Sequence, residues 1–137
     1  MSKVFKKIMC PINLRHAEHK QRAYEEAVRM ATNHGAELIV ATVAPEMERN
    51  LNIRDSRVYW TQQLEEFLKE NPPGDVKTRS TVRIGSAHRQ IVKLATEEDV
   101  DLIVMEAANP KVSDYLLGTT ATHVVAHTTA SVYVVRV

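Results

Sequence analysis

The sequence predicts a doubly wound α/β domain, with one five-stranded parallel sheet covered by helices on both faces. Three observations carry that prediction. Five short runs rich in β-branched residues are spread along the 137-residue chain, and patterns of helical period separate each from the next. Two of the runs, residues 37–43 and 101–105, are apolar on both faces, as strands inside a parallel sheet are. Parallel strands also need crossover helices, and the helical patterns fall where those are required.

The elements follow in order. Residues 6–12 read as a first buried strand, closed by Pro11 and Asn13. A helix is expected from about Ala17 to Asn33, with Ala23, Ala27, Met30 and Ala31 recurring at helical spacing. His34-Gly35 supplies its stop, because glycine suits the left-handed position after a helix. Residues 37–43 form the second strand, ended by Pro45 and followed by a polar loop over 46–54. A second helix over about 55–70 presents Val58, Leu64, Phe67 and Leu68, and Asn71-Pro72-Pro73-Gly74-Asp75 stops it. Residues 76–83 alternate Val76, Thr78, Ser80 and Val82 with Lys77, Arg79, Thr81 and Arg83, the pattern of a half-exposed edge strand. Ser86 is the expected N-cap of a third helix that turns Ile91, Leu94 and Ala95 inward. Residues 101–105, the most apolar run, read as a central strand. A loop over 106–113, a helix over about 115–127 and a valine-rich strand over 131–137 complete the chain.

Composition narrows the possible functions. A length of 137 residues suits one domain spanning 1–137, and 44% hydrophobic against 26% charged residues allows a packed core under a solvated surface. The formal net charge of +1 does not call for nucleic acid or an acidic membrane. No run of roughly eighteen apolar residues occurs, so no membrane span is expected. Nor does the N-terminus carry the apolar stretch of a signal peptide. Cys10, the only cysteine, lies in an apolar run, excludes an internal disulfide and fits a reducing compartment. A cytoplasmic protein is expected.

In doubly wound sheets, ligands sit outside the carboxyl ends of the strands, where the strand order reverses. With the order 3-2-1-4-5, the first and fourth strands flank that point. The chemistry should therefore gather at residues 11–16, at Val43 and along 106–120. Gly118 lacks a β-carbon and lets backbone approach a ligand, while Thr119 and Thr120 offer hydroxyls and amides near a helix start. Tight helix packing at Gly118 with threonine capping explains the same residues.

The segments Asp101-Leu-Ile-Val-Met105, Tyr115-Leu-Leu-Gly-Thr119, Val124-Val-Ala-His127 and Val132-Tyr-Val-Val-Arg136 together resemble the C-terminal signature of the universal stress protein family. Lys7-Ile-Met-Cys-Pro-Ile-Asn13, residues 37–43 and Arg83-Ile-Gly-Ser86 resemble its other landmarks, in register over the whole chain. The resemblance implies an adenine-nucleotide α-hydrolase-like fold and ATP or AMP as ligand. By that resemblance Pro11, Ile12 and Asn13 frame the adenosine, Val43 touches adenine, and Met105 and Glu106 contribute backbone. Gly118, Thr119 and Thr120 then take phosphate. Only the end of the family's glycine motif is kept, as Gly118-Thr119. Glu106 and Asn109 stand where its first two glycines fall, which resembles a subgroup with a shortened nucleotide loop.

Glu106 poses an electrostatic problem. A carboxylate about 5 Å from a phosphate charge costs about 3 kcal/mol at an effective dielectric near 20. A helix N-terminus returns only about 0.3–2 kcal/mol. Binding then requires that Glu106 turn away, or that cations such as Arg15, His16, His19 or Lys111 intervene.

No catalytic centre is expected. The chain has no nucleophile elbow, no phosphate loop ending Gly-Lys-Ser/Thr and no Gly-x-Gly-x-x-Gly. Weak ATPase or autophosphorylation activity is the most that is anticipated. His16 with His19 and His123 with His127 each share a helix face, but spacing supplies no third ligand. No metal is expected beyond magnesium accompanying a nucleotide. Tyr59 and Trp60 lie at helical spacing with Leu64 and Phe67, which favours packing over base stacking. The apolar terminal strand over 131–137 is expected to pair with a second copy, as in relatives, giving a homodimer. The function expected is that of a small dimeric regulatory or stress-response protein. The rival is a nucleotide-free adaptor that has lost its phosphate site.

Overall fold

The apolar runs become the strands of one parallel sheet in the computed structural model, which describes residues 4–14, 21–44, 53–107 and 118–136. The elements are β1 (Lys7–Pro11), α1 (Arg22–His34), β2 (Glu37–Ala44), α2 (Ile53–Glu70), β3 (Thr78–Ile84), α3 (Ala87–Glu97), β4 (Leu102–Ala107), α4 (Thr119–His127) and β5 (Ser131–Arg136). The strands lie in the order β3-β2-β1-β4-β5, as the sequence predicts, and every pairing is parallel.

Side chains alternate along each strand, which divides the core into two layers. Ile8, Cys10, Leu38, Val40, Leu102 and Val104 pack with α1 and α2 on one face. Met9, Ile39, Ala41, Ile103 and Met105 pack with α3 and α4 on the other. Helix α1 ends as its sequence dictates. Gly35 takes a left-handed conformation at φ 63°, and the Ala36 amide donates to the Ala31 carbonyl at 2.9 Å.

Several boundaries differ from the sequence reading. Helix α1 starts at Arg22, because Gln21 before it has non-helical backbone and offers no side-chain cap. The expected start at Ala17 lies outside the described residues. Val58 is 50% exposed, and the inward position in that turn of α2 is Ser56 at 5%. Val58 lies two residues on, about 200° round the helix from Ser56, whereas Trp60 and Leu64 follow Ser56 at four-residue steps. Tyr59 is exposed, so of that aromatic pair only Trp60 packs against the core. Strand β3 begins at Thr78 rather than Val76, and along it only Val82 is fully buried. The middle strand is β1, with β4 one place in from the edge. Ser86 occupies the N-cap of α3, but its hydroxyl makes no cap bond and lies 3.3 Å from His88 Nδ1 instead.

The two sheet edges are treated differently. The Leu38 amide donates to the Lys77 carbonyl, so alternate residues of β3, Val82 among them, turn their backbone groups outward. The Arg57 guanidinium donates to that outward Val82 carbonyl at 3.2 Å. At the other edge the Ser131 amide donates inward to Asp101, which leaves the backbone of Val132 and Val134 facing away from β4.

Candidate functional site

The sheet parts at its carboxyl end between β1 and β4. Strand β1 stays in register with β2 through Pro11↔Ala41, and β4 with β5 through Ala107↔Arg136. The pairing of β1 with β4 stops at Met9↔Ile103. Beyond that point the two strands diverge, which makes the crevice expected at a reversal of strand order.

Both backbone polar groups of Ile12, just past β1, bond to β2. The Ile12 amide donates to the Ala41 carbonyl at 2.8 Å, and the buried Thr42 hydroxyl donates to the Ile12 carbonyl at 3.0 Å. Asn13 follows, exposed at the tip. Thr42 was not among the residues singled out from sequence. A hydroxyl inside an otherwise apolar strand is the signal that marks it.

Parity along the strands sorts the remaining residues. Met105, 4% exposed, and Val43, partly buried, both face the layer of α3 and α4. Pro11 alternates with Cys10 and Ile12 and so points to that same side. Glu106 has the parity of Leu102 and Val104, which face α1 and α2. The charge pattern agrees. Burial pushes the Cys10 thiol up, and the Glu106 carboxylate pushes it further in the same direction.

Helix α4 begins at the same end of the sheet. Gly118 is its N-cap at φ 85°, a conformation that favours glycine, and among the described residues no side chain caps the helix. The Thr122 amide donates to the Gly118 carbonyl at 3.0 Å, so the amides of the first turn before it have no intrahelical acceptor. The first turn carries no acidic residue, Thr119 is exposed and Thr120 partly buried. Since α4 packs against β4 on the Met105 side, the Glu106 side chain and the α4 N-terminus lie on opposite faces of the sheet.

The structure thus brings Pro11, Ile12, Asn13, Val43, Met105, Gly118, Thr119 and Thr120 to one end of the sheet, and turns Glu106 to the far face. Asn109, Arg15, His16, His19, Lys111 and residues 115–117 lie outside the described residues. One cluster of charge pairs lies at the opposite end of the strands. There Arg79 bonds Glu37 at 2.8 Å and Glu98 at 2.9 Å, and the Asp101 carboxylate accepts from the Lys6 and Lys7 amides at 2.9 Å. Those bonds from Arg79 hold the Glu37 and Glu98 carboxyls below the ordinary carboxylate range.

One histidine grouping differs from the sequence reading. His123 and His127 share a face of α4 as expected, but His88 of α3 joins them, with its ring centroid 3.9 Å from that of His123. Among the described residues, no three His, Cys, Asp or Glu side chains are placed to hold a metal ion. None of the described helices is long and apolar enough to cross a membrane.

Fold and crevice together define a doubly wound α/β protein of the kind that receives ligands at its strand tips. The comparisons give the family. The model of the "Universal stress protein family" matches residues 5–136, and the chain belongs to that family. A universal stress protein of Methanothermobacter thermautotrophicus is 27% identical over 149 residues, covering 99% of each chain. Among solved structures, a universal stress protein in complex with cAMP superposes with a TM-score of 0.76 at 19% identity, covering 98% of each chain. A universal stress protein from Archaeoglobus fulgidus in complex with dAMP gives 0.63 at 15% identity, covering 96% of this chain and 98% of that one.

Proposed function

We propose that the crevice between β1 and β4 binds an adenine nucleotide, ATP or AMP, and that the protein works as a small homodimeric regulator of the stress response in the cytoplasm. The observation that carries this reading is the conjunction of two features. The sheet opens beyond Met9↔Ile103, and the first turn of α4, which no side chain caps among the described residues, begins at that end of the sheet on the face away from Glu106. The repulsion that Glu106 threatened falls as the distance between the charges grows. Two relatives of the same fold are in complex with cAMP and with dAMP, which supports the ligand class.

In this reading Pro11, Ile12 and Asn13 frame the nucleoside, Val43 and Met105 offer apolar contact, and the amides from Gly118 to Thr120 receive phosphate. An amide side chain such as Asn13 can hydrogen-bond a ribose hydroxyl. Magnesium enters only as the companion of the nucleotide. Pairing of β5 with its copy would make the dimer, since that edge turns backbone outward while Arg57 covers the edge at β3.

Calorimetry with ATP and AMP, alongside a mass spectrum of ligand released from freshly purified protein, tests the proposal. Binding heat that is lost in Gly118→Val supports it. No heat at millimolar nucleotide overturns it in favour of a nucleotide-free adaptor. Phosphate release that depends on Thr119 would instead reveal a weak ATPase.

A further inference from the structure

We propose that the seam between α3 and α4 is an acid-sensitive latch, in which protonation of the stacked imidazoles of His88, His123 and His127 drives the two helices apart. His88 reaches across from α3, with ring centroids 3.9 Å from His123 and planes 39° apart. His127 lies one turn further along α4, 4.4 Å from His123 and tilted by only 18°. Rings this close are compatible when neutral and repel once two of them carry charge. The Nδ1 of His127 lies 2.8 Å from the His123 carbonyl and donates to it, which leaves Nε2 to take a second proton.

Among the described residues, no carboxylate is set against that charge. The groups acting electrostatically on His123 are His88 and Arg89 of α3 and His127 of α4, and no carboxylate is among them. Beneath α4, β4 presents Met105 to this layer. Beside α3, Arg83 of β3 is held by Glu97 at 2.6 Å. Partial desolvation, together with these cationic neighbours, holds the His123 imidazole below its ordinary value. Under the rings the seam is apolar, closed by Ile91, Leu94, Ala121 and Val124. Because α4 begins at Gly118, displacing it moves the end of the helix that borders the crevice. The latch itself does not depend on what the crevice binds.

The direction of the pH effect follows from linkage. The unfolded chain binds the proton more readily than the folded one, so the histidine contribution to stability is complete above the ordinary value of 6.5. It declines as pH falls through that value towards the lower folded one. The carboxylates paired with Arg79 also titrate below their ordinary value, but that value is 4.5, so their contribution is lost in a separate, more acidic window.

Histidine proton NMR and thermal unfolding of the full chain between about pH 7.5 and 5.5 test the latch. His123 should titrate below 6.5, amide exchange along α4 should accelerate at the acidic end, and the unfolding midpoint should fall. In His123→Gln that fall should shrink by about half or more, since the central charge of the three is removed. A His123 titration at or above 6.5 would overturn the proposal, as would the same midpoint decline in both proteins. Should the variant fail to fold, the titration of the unaltered protein decides alone.

Discussion

The Thr42 hydroxyl donates to the Ile12 carbonyl across 3.0 Å, joining residues thirty positions apart at the tips of β2 and β1. With the Ile12 amide bonded to Ala41, both polar backbone groups of Ile12 are committed to β2. Ile12 shares the parity of Ile8 and Cys10, whose backbone faces β2, so this pair fixes the chain just past β1 on that side. Toward β4 the next donor position is Pro11, which has no amide hydrogen, and there the pairing of β1 with β4 stops.

Removing the hydroxyl should be felt first as lost stability. Thr42→Val leaves the Ile12 carbonyl buried without its donor, at a cost of about 1–3 kcal/mol in denaturant unfolding. Nucleotide affinity should fall with it, because Ile12 and Asn13 lose their anchor. A change in stability below about 0.5 kcal/mol would show that the hydroxyl does not hold the tip.

Gly118 and Glu106 should respond differently, although the family motif places both at the phosphate. At Gly118, φ 85° strains any residue with a β-carbon. Gly118→Ala is therefore expected to weaken nucleotide binding about tenfold, equivalent to about 1.4 kcal/mol. Glu106→Gln removes a charge on the far face and should leave affinity within about twofold. A large gain in affinity from Glu106→Gln would place that carboxylate inside the phosphate site.

Cys10 should be inert in the native protein. It is fully buried, and both burial and the Glu106 charge disfavour the thiolate that thiol reagents need. Labelling with an aromatic disulfide at neutral pH should proceed only as fast as the chain opens, and at once in denaturant. Rapid labelling of the native protein would contradict the described packing.

Dimerisation through β5 has a selective test. The Val134 amide faces away from β4, so Val134→Pro removes an outward donor while sparing the bonds inside the sheet. Sedimentation should then report a dimer for the unaltered chain and a folded monomer for the variant. A dimer that persists in the variant would move the interface elsewhere.

The sheet is legible in the sequence because β2 and β4 are apolar on both faces, as interior parallel strands are, and helical patterns separate them. The start of α1 is not, because Gln21 lacks the capping chemistry that announces a helix. The inward face of α2 is misread because its core position in the first turns is Ser56, a polar residue, while Val58 faces solvent. Ser56 Oγ and Trp60 Nε1 are buried with no hydrogen-bond partner among the described residues, so that face breaks the usual rule twice.

At the candidate site, the strand tips and Gly118 were readable from topology and from the glycine itself. The direction of Glu106 is readable too, by counting in twos from Val104. The approach of His88 to His123 leaves no local trace, since the two are brought together only by the packing of α3 on α4.

The most direct test is an amide-resolved NMR titration of the full chain with AMP. The account predicts shifts concentrated at the amides of Gly118, Thr119 and Thr120, with smaller ones at Ile12, Asn13 and Val43 and little change at β3. No shifts at millimolar AMP, or shifts clustered away from the opening between β1 and β4, would contradict it.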